Sequence, residues 1–298
     1  MDTSSINIAP GRYVLAVSGG VDSMVLLNLL LQCPEIKLTI AHFDHGIRAD
    51  SHEDRRLVQS AAAFYGLPFV YHEGALGADA SEAIARKARY EFLRTVQIAA
   101  GAQAVITAHH QDDVIETAIL NMLRGTNRRG LSSLQSRSDV IRPLLHVSKA
   151  EILEHARNHD LIWREDSTNQ DIKFRRNYVR HQIIPRLDTD ARARLLEIIA
   201  NNLRINQELD QELINQLHYQ QRAHTLDKTW FASLPHAVAR EVMATWLREH
   251  ELANFDRRTL ERLTVMAKTQ SVGQRINIFQ KHWMDIKGDH LALTTAER

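Results

Sequence analysis

Short apolar runs alternate with longer helix-like stretches along the first part of the chain. Runs at 13–17, 36–41, 68–72 and 104–108 have the length of buried strands. Helix-like stretches at 23–31, 51–65, 81–99 and 113–123 follow them in turn. Strand then helix, repeated, predicts a parallel sheet covered by helices on both faces. Residues 24–31 are apolar almost all round, so that helix should be buried. A further strand near 139–144, ending in Arg142-Pro143, and a helix from Ser148 to His159 extend the unit. After Asp188 the pattern changes. Residues 189–219 read as one amphipathic helix and 224–234 as a break. Helices near 235–250 and 256–268 follow, then alternating runs at 275–293 suited to a small hairpin. The expected class is α/β, a parallel sheet with helices on both faces plus a smaller, mostly helical C-terminal domain. The expected divisions are 1–188, a linking helical segment 189–223, and 224–298.

Ligands of such sheets gather beyond the carboxyl ends of the strands. Those ends here carry Ser18-Gly19-Gly20, His42-Phe43-Asp44-His45 and His109-His110-Gln111-Asp112-Asp113. Residues 18–23 read SGGVDS, a glycine turn between a strand and a helix, which aims backbone N–H groups at an anion. No lysine follows the glycines, unlike the nucleoside-triphosphatase loop, and the three-glycine dinucleotide pattern is absent. What remains is a loop for the released end of a nucleotide, hence chemistry at the α-phosphate. Asp22, on the first helical turn, suits Mg²⁺ bridging to phosphate oxygens. Ser18 and Ser23 can donate to the same oxygens. A helix starting near Gln111 places Asp112 and Glu116 on one face, with Asp113 close. These acids suit either a metal or a cationic amine such as free lysine. His109 and His110 can contact phosphate or assist proton transfer. The strand end at His42 can grip adenine, with Arg48 reaching phosphate. Glu82, Arg86 and Arg89 share a helix face beside Tyr90.

Composition narrows the function. Arg124 to Arg137 holds four arginines and no acid, and Lys173 to Arg186 holds five Lys or Arg and no acid. On a chain of net charge +1, two such runs fit a local polyanion site. Trp163, Phe174 and Tyr178 are available to stack on an unpaired base. The single cysteine, Cys33, excludes a disulfide framework and an all-cysteine metal or iron–sulfur site, and reads as a partly buried filler. No basic-then-apolar leader and no membrane-length apolar window is present, so a cytoplasmic location is the expectation.

Together the motifs carry a resemblance. SGGVDS looks like the pyrophosphatase loop of ATP-using adenylating enzymes. With AHFDHGIR (41–48), SEAIARKARY (81–90), TAHHQDDVIET (107–117), LRGTNRRGL (123–131), IRPLL (141–145) and EDSTNQDIKFRRNYVR (165–180), the first ~190 residues resemble the tRNA(Ile)-lysidine synthetase family of the PP-loop N-type ATP pyrophosphatase superfamily. The resemblance implies an adenine nucleotide alpha-hydrolase-like fold and a ligase using ATP and Mg²⁺. Its substrates would be the isoleucine tRNA with a CAU anticodon and free L-lysine. The wobble cytidine is adenylated at its C2 oxygen and then attacked by lysine. The resemblance also implies residue roles. Ser18, Gly19, Gly20, Val21, Asp22 and Ser23 would bind ATP, with His42 near adenosine and Asp22 on the metal. Asp22, Arg86, His109, Asp112, Asp113 and Glu116 would be catalytic. Asp112, Asp113 and Glu116 would divide lysine and metal contact. Arg124, Arg128, Arg129, Arg176, Asn177 and Arg180 would face tRNA. Val114-Ile115 stands where the family carries a polar Gln-Ala. Residues 224–298 would be a small tRNA-holding module, and family members are often homodimers. Some members carry a further C-terminal domain; without it, tRNA contacts are expected over less surface.

Two related classes fit less well. Cytidine 2-thiolation needs cysteines beyond Cys33, and amide-forming ATP chemistry on a small molecule has no use for the basic runs. A non-catalytic tRNA-binding protein has no use for carboxylates beside a phosphate loop.

Overall fold

A computed structural model of the chain describes residues 6–46, 51–74, 82–126, 128–164, 175–222, 225–252 and 255–295. Arg48 and the segment 165–174, with Asp166 to Asn169 and Phe174, lie outside them. The chain divides into two compact units, Met1–Asn202 and Leu203–Arg298.

In the first unit β1 (Gly11–Ala16), β2 (Ile36–Asp44), β3 (Phe69–Glu73), β4 (Ala104–Ile106) and β5 (Val140–Ile141) form one sheet in the order β3-β2-β1-β4-β5. Every pairing in it is parallel. The crossovers contain α1 (Val21–Leu31), α2 (Ser51–Phe64), α3 (Glu82–Ala99) and α4 (Gln111–Leu123), and α5 (Lys149–Asn158) follows β5. Strand alternation sorts β1 between two cores. Tyr13, Leu15 and Val17 pack with α1, α2 and α5, whereas Val14 packs with Leu93 and Val96 of α3 on the other face. Helix α1 is buried on almost every side, as its uninterrupted apolar run demands. Cys33 is free and partly buried.

One strand departs from expectation. The run 68–72 suggests a buried strand, but β3 is the sheet edge, and Val70 and Tyr71 are 38 and 49 % exposed. An apolar run cannot tell an edge from a centre, because the missing neighbour lies elsewhere in sequence.

Strand order reverses between β1 and β4. This is the place where open α/β sheets bind ligands beyond their carboxyl ends. After α5 and the undescribed segment come α6 (Arg175–Tyr178), a π-helical turn (Val179–Ile183) and a short 3₁₀ turn (Ile184–Arg186). Val179 and Ile184 bury against Ile115 and Leu120 of α4. Ile115, one of the two positions that depart from the family pattern, is fully buried in this cluster, so its apolar character serves packing.

Helix α7 (Thr189–Gln220) is the long helix the sequence suggests, and the boundary between units falls within it. The second unit has α8 (Lys228–Ser233), α9 (His236–Glu249) and α10 (Arg257–Thr269) around Trp246 and Phe231, both fully buried. Its sheet is larger than the hairpin expected. β6 (Gln221–Arg222), β7 (Thr225–Asp227), β8 (Arg275–Phe279), β9 (His282–Lys287) and β10 (His290–Thr295) form five antiparallel strands in the order β6-β7-β10-β9-β8. The stretch read as a break thus contains β7, where Leu226 pairs with Leu291. Three residues are too few for alternation to register.

Candidate active site

The turn after β1 is built by hydrogen bonds among its own small residues. Gly19 has φ +92°, a conformation that disfavours a side chain. The Ser23 hydroxyl donates to the Gly20 carbonyl at 2.9 Å and accepts from the Ser18 N–H at 3.2 Å. The Gly20 N–H donates to Ser18 Oγ at 3.3 Å. The loop is also tied from outside. The Arg164 N–H donates to the Gly19 carbonyl at 3.0 Å, and its guanidinium pairs with Asp54 at 2.8 Å. Arg164 escapes a reading by motif because Asp54 lies 110 residues away.

Val17 at the end of β1 accepts from His42 Nδ1 at 2.9 Å. That bond puts the proton on Nδ1 and leaves Nε2 as an acceptor. Burial holds the His42 pKa below its ordinary value, so the ring stays neutral. Ser18, Asp22, Ser23, His42, Arg89 and His109 line a cavity of about 270 Å³ at the β1/β4 reversal. Ser18, Asp22, Ser23 and His42, four of the expected nucleotide residues, therefore share one cavity. Arg89, rather than Arg86, is the α3 arginine on this cavity.

His109 accepts or donates a 2.9 Å hydrogen bond with Thr107 Oγ1. Burial pushes its pKa down to about 3, against the pull of Asp113 and helped by Arg142, Arg89 and Arg86. It is a neutral imidazole at pH 7. The unfolded ring takes a proton near pH 6.5, whereas the folded one does not until about pH 3. Stability is therefore lost as pH falls from 6.5 towards 3, by at most ~1.4 kcal/mol per pH unit for this group. His109→Gln should flatten that slope in urea titrations at pH 4.5–7, with His42 retaining its share of the same sign.

His110 caps α4. Its Nδ1 accepts the Asp112 N–H at 3.2 Å while Asp113 accepts the His110 N–H at 3.0 Å, a closed capping box. Its Nε2 then faces Asp22 at 3.7 Å and Asp113 at 3.6 Å, which links the first loop to α4.

The three acids of α4 are each met by arginine. Asp112 pairs with Arg192 of α7. Asp113 accepts from Arg180 at 3.1 Å. Glu116 is 1 % exposed and holds both Arg176 and Arg180, the latter at 3.0 Å. Burial raises the Asp113 pKa, but His110, His109, the His110 N–H and Arg180 outweigh it, so it sits below the usual range. Glu116 is lifted above that range by burial, against Arg176 and Arg180. Arg176 and Arg180 are thus anchors of α4 acids, and Asn177 beside them is buried.

Arg86 lies elsewhere. With Arg124 and Arg176 it lines a second cavity of about 220 Å³ that also includes Asn121 and Ser133. Arg86 stacks on Tyr90, 5.0 Å from the ring centre, and the Tyr90 hydroxyl accepts from buried Arg142 at 3.2 Å. Desolvation raises the Tyr90 pKa, but Arg86, Arg142 and Arg89 bring it below its ordinary value. Arg124 is exposed, and Arg128 and Arg129 are half-buried in the loop after α4. Tyr178 is 50 % exposed, while Trp163 packs against the main core.

Asp22 was expected to meet a metal. Its Oδ1 meets an ammonium, Lys149 Nζ, at 2.5 Å. A cation on a carboxylate oxygen at the mouth of a phosphate loop fits the site for Mg²⁺, which is often held by one or two carboxylates plus substrate phosphates. No cluster of three or more acids, histidines or cysteines with metal-binding geometry occurs among the described residues.

A profile of the PP-loop domain matches residues 4–187. The chain belongs to the PP-loop domain family. Among curated proteins it is 36 % identical over 193 residues to the tRNA(Ile)-lysidine synthase of Solibacter usitatus, covering 64 % of this chain and 44 % of that one. It is 39 % identical over 186 residues to the tRNA(Ile)-lysidine synthase of Thermotoga maritima, covering 59 and 45 %. The matched stretch thus spans less than half the length of these relatives. Among solved structures, the U34-tRNA thiolase NcsA of Methanococcus maripaludis, with its 4Fe-4S cluster, superposes with a TM-score of 0.56 at 17 % identity. It covers 66 % of this chain and 73 % of that one, which shows a shared fold. No helix among the described residues is long and apolar enough to cross a membrane.

Proposed function

We propose that the chain converts the wobble cytidine of the CAU-anticodon isoleucine tRNA to lysidine, as a ligase consuming ATP and free L-lysine. The observation that carries this reading is one cavity that joins the SGGVDS loop, His42 and His109 at the sheet reversal, in a chain 36 % identical over 193 residues to a tRNA(Ile)-lysidine synthase. In the reaction the cytosine C2 oxygen attacks the α-phosphorus and the bond to pyrophosphate breaks. The lysine ε-amine, having lost a proton, then attacks C2, and the C2–O bond breaks to release AMP. Adenylation is needed because the C2 oxygen leaves poorly until it carries a phosphoryl group.

The loop N–H groups with Ser18, Gly19, Gly20, Val21 and Ser23 receive the phosphates, and His42 Nε2 faces adenosine. Mg²⁺, held at Asp22, would neutralise charge on the phosphate oxygens. His109, a neutral imidazole at pH 7, offers a hydrogen bond near the α-phosphate. The α4 acids differ in access, with side chains 20, 10 and 1 % exposed for Asp112, Asp113 and Glu116. Asp112 is the one we assign to the lysine ammonium. Asp113 shapes the helix start, and Glu116 holds Arg176 and Arg180.

The arginine-lined second cavity, the loop at Arg128 and Arg129, and the Leu203–Arg298 unit are the tRNA-facing parts in this reading. Arg124 is exposed, and no ion pair to it is found among the described residues. Arg124→Ala should weaken tRNA binding without weakening ATP binding, and should reduce the salt slope of log K by about one. Equal loss of ATP binding would place Arg124 at the nucleotide instead. The reading carries a cytoplasmic location, where tRNA, ATP and lysine meet. It also carries a homodimer, which sedimentation checks.

The test is AMP release from ATP with Mg²⁺ and each of the two CAU-anticodon tRNAs, with and without lysine. Release that needs both lysine and the isoleucine tRNA, with lysine incorporated, is expected. Release without tRNA would move the chain to another branch of the family.

A further inference from the structure

Lys149 stands where a lysine is disfavoured. It is the first residue of α5, at the positive end of the helix dipole. The helix start is secured without it, since the Ser148 hydroxyl accepts the Glu151 N–H at 3.3 Å and Glu151 accepts the Ser148 N–H at 2.8 Å. Its ion-pair partner among the described residues is Asp22, 127 residues away. The side chains are 35 and 30 % exposed, so the pair adds little to stability. The lysine therefore serves the loop rather than the helix.

Asp22 has two oxygens. Oδ1 meets Lys149, and Oδ2 faces His110 Nε2 at 3.7 Å. A metal ion on Oδ1 and the ammonium cannot occupy the same place. We propose that Lys149 is a counter-charge that changes partner. It neutralises Asp22 before Mg²⁺ binds, yields Asp22 to Mg²⁺, and turns its ammonium to the pyrophosphate oxygens. The inference rests on the cavity being a nucleotide site and is independent of the RNA substrate. No bond to Lys149 forms and no proton moves. When the bond between the α-phosphorus and the bridging oxygen breaks, the electron pair stays on pyrophosphate, and the ammonium lies beside the growing charge.

Calorimetric titration of the whole chain tests this, using wild type, Lys149→Met and Lys149→Arg. The probes are Mg²⁺ alone, pyrophosphate at saturating Mg²⁺, and AMP. In Lys149→Met, Mg²⁺ alone should bind several-fold tighter because its competitor is gone. Pyrophosphate should bind about ten- to hundredfold more weakly, the worth of a charge-assisted hydrogen bond. AMP should be unaffected, and Lys149→Arg should restore most of the pyrophosphate affinity. Parallel weakening of Mg²⁺ and pyrophosphate would mean that Lys149 only shapes the loop, and no change in either would mean that it does nothing there; both overturn the proposal. Wild type that binds no pyrophosphate would overturn the nucleotide reading, and the proposal with it, before any variant is compared.

Discussion

Asp22→Ala is expected to lower AMP release by at least about a thousandfold while leaving the fold intact. The chemical loss is large because a metal on a phosphoryl oxygen supplies several kcal/mol of charge stabilisation. Asp22 is the carboxylate of the SGGVDS loop, on the first turn of α1, and lines the same cavity as His42 and His109. The structural loss is small for independent reasons. The Asp22 side chain is 30 % exposed, and its partner Lys149 is 35 % exposed and can be hydrated when released. Such pairs contribute about 0–1 kcal/mol. Helix α1 does not depend on the carboxylate either, since its start is made by Gly20 and the Ser23 hydroxyl. Thermal melting and AMP release measured on one preparation separate the two effects. A folded variant with near-normal turnover would remove Asp22 from the metal.

Arg180→Met should have the largest effect on stability, about 1–3 kcal/mol at pH 8. Arg180 is shared by two acids that water barely reaches, Asp113 and Glu116, whose side chains are 10 and 1 % exposed. Removing it leaves Glu116 with Arg176 alone and leaves Asp113 to His110. Met keeps an unbranched side chain of similar length without the charge, so the loss reports charge. The pH dependence gives a second signature. Burial already holds the Glu116 pKa above its ordinary value of 4.5. Loss of Arg180 raises it further, so the folded variant binds a proton that the unfolded chain has released. Protonation then favours the folded state at low pH, and that benefit is lost as pH rises above 4.5. The penalty should therefore be smallest near pH 4.5 and grow towards pH 8, as read by urea titration. A penalty that does not change with pH would show that Arg180 acts through packing.

The parts legible in the sequence were those written in neighbouring residues. The apolar run before SGGVDS announces β1 and its turn, and TAHHQDD announces a helix start because polar caps and first-turn acids are adjacent in the chain. Charge partners were not legible. Lys149 meets Asp22 across 127 residues, Arg164 meets Asp54 across 110, and Arg192 meets Asp112 across 80. No local pattern encodes such a pairing, since it depends on which helix end the sheet order brings to the loop. The same limit applies to Arg86. Its spacing with Arg89 suggests one shared face, yet the two arginines line different cavities. It also explains why arginines 176 and 180 read as an open basic run, because the acid that holds them precedes them by 60 and 64 residues.

The arginine cover on α4 implies an order of events during synthesis. The five strands and α5 are complete at Asn158, before any of Arg176, Arg180 and Arg192 has been made. At about 5–20 residues per second, the first of these arginines follows Glu116 by roughly 3–12 s. Over that interval the nascent helix carries three neighbouring carboxylates with only the His110 cap to organise them. The sheet can be finished early, but the centre matures late, when α6, the π-helical turn and the start of α7 bring the three arginines to its acids. A ribosome that paused between the two would hold a nearly complete parallel sheet with its charge centre still unassembled.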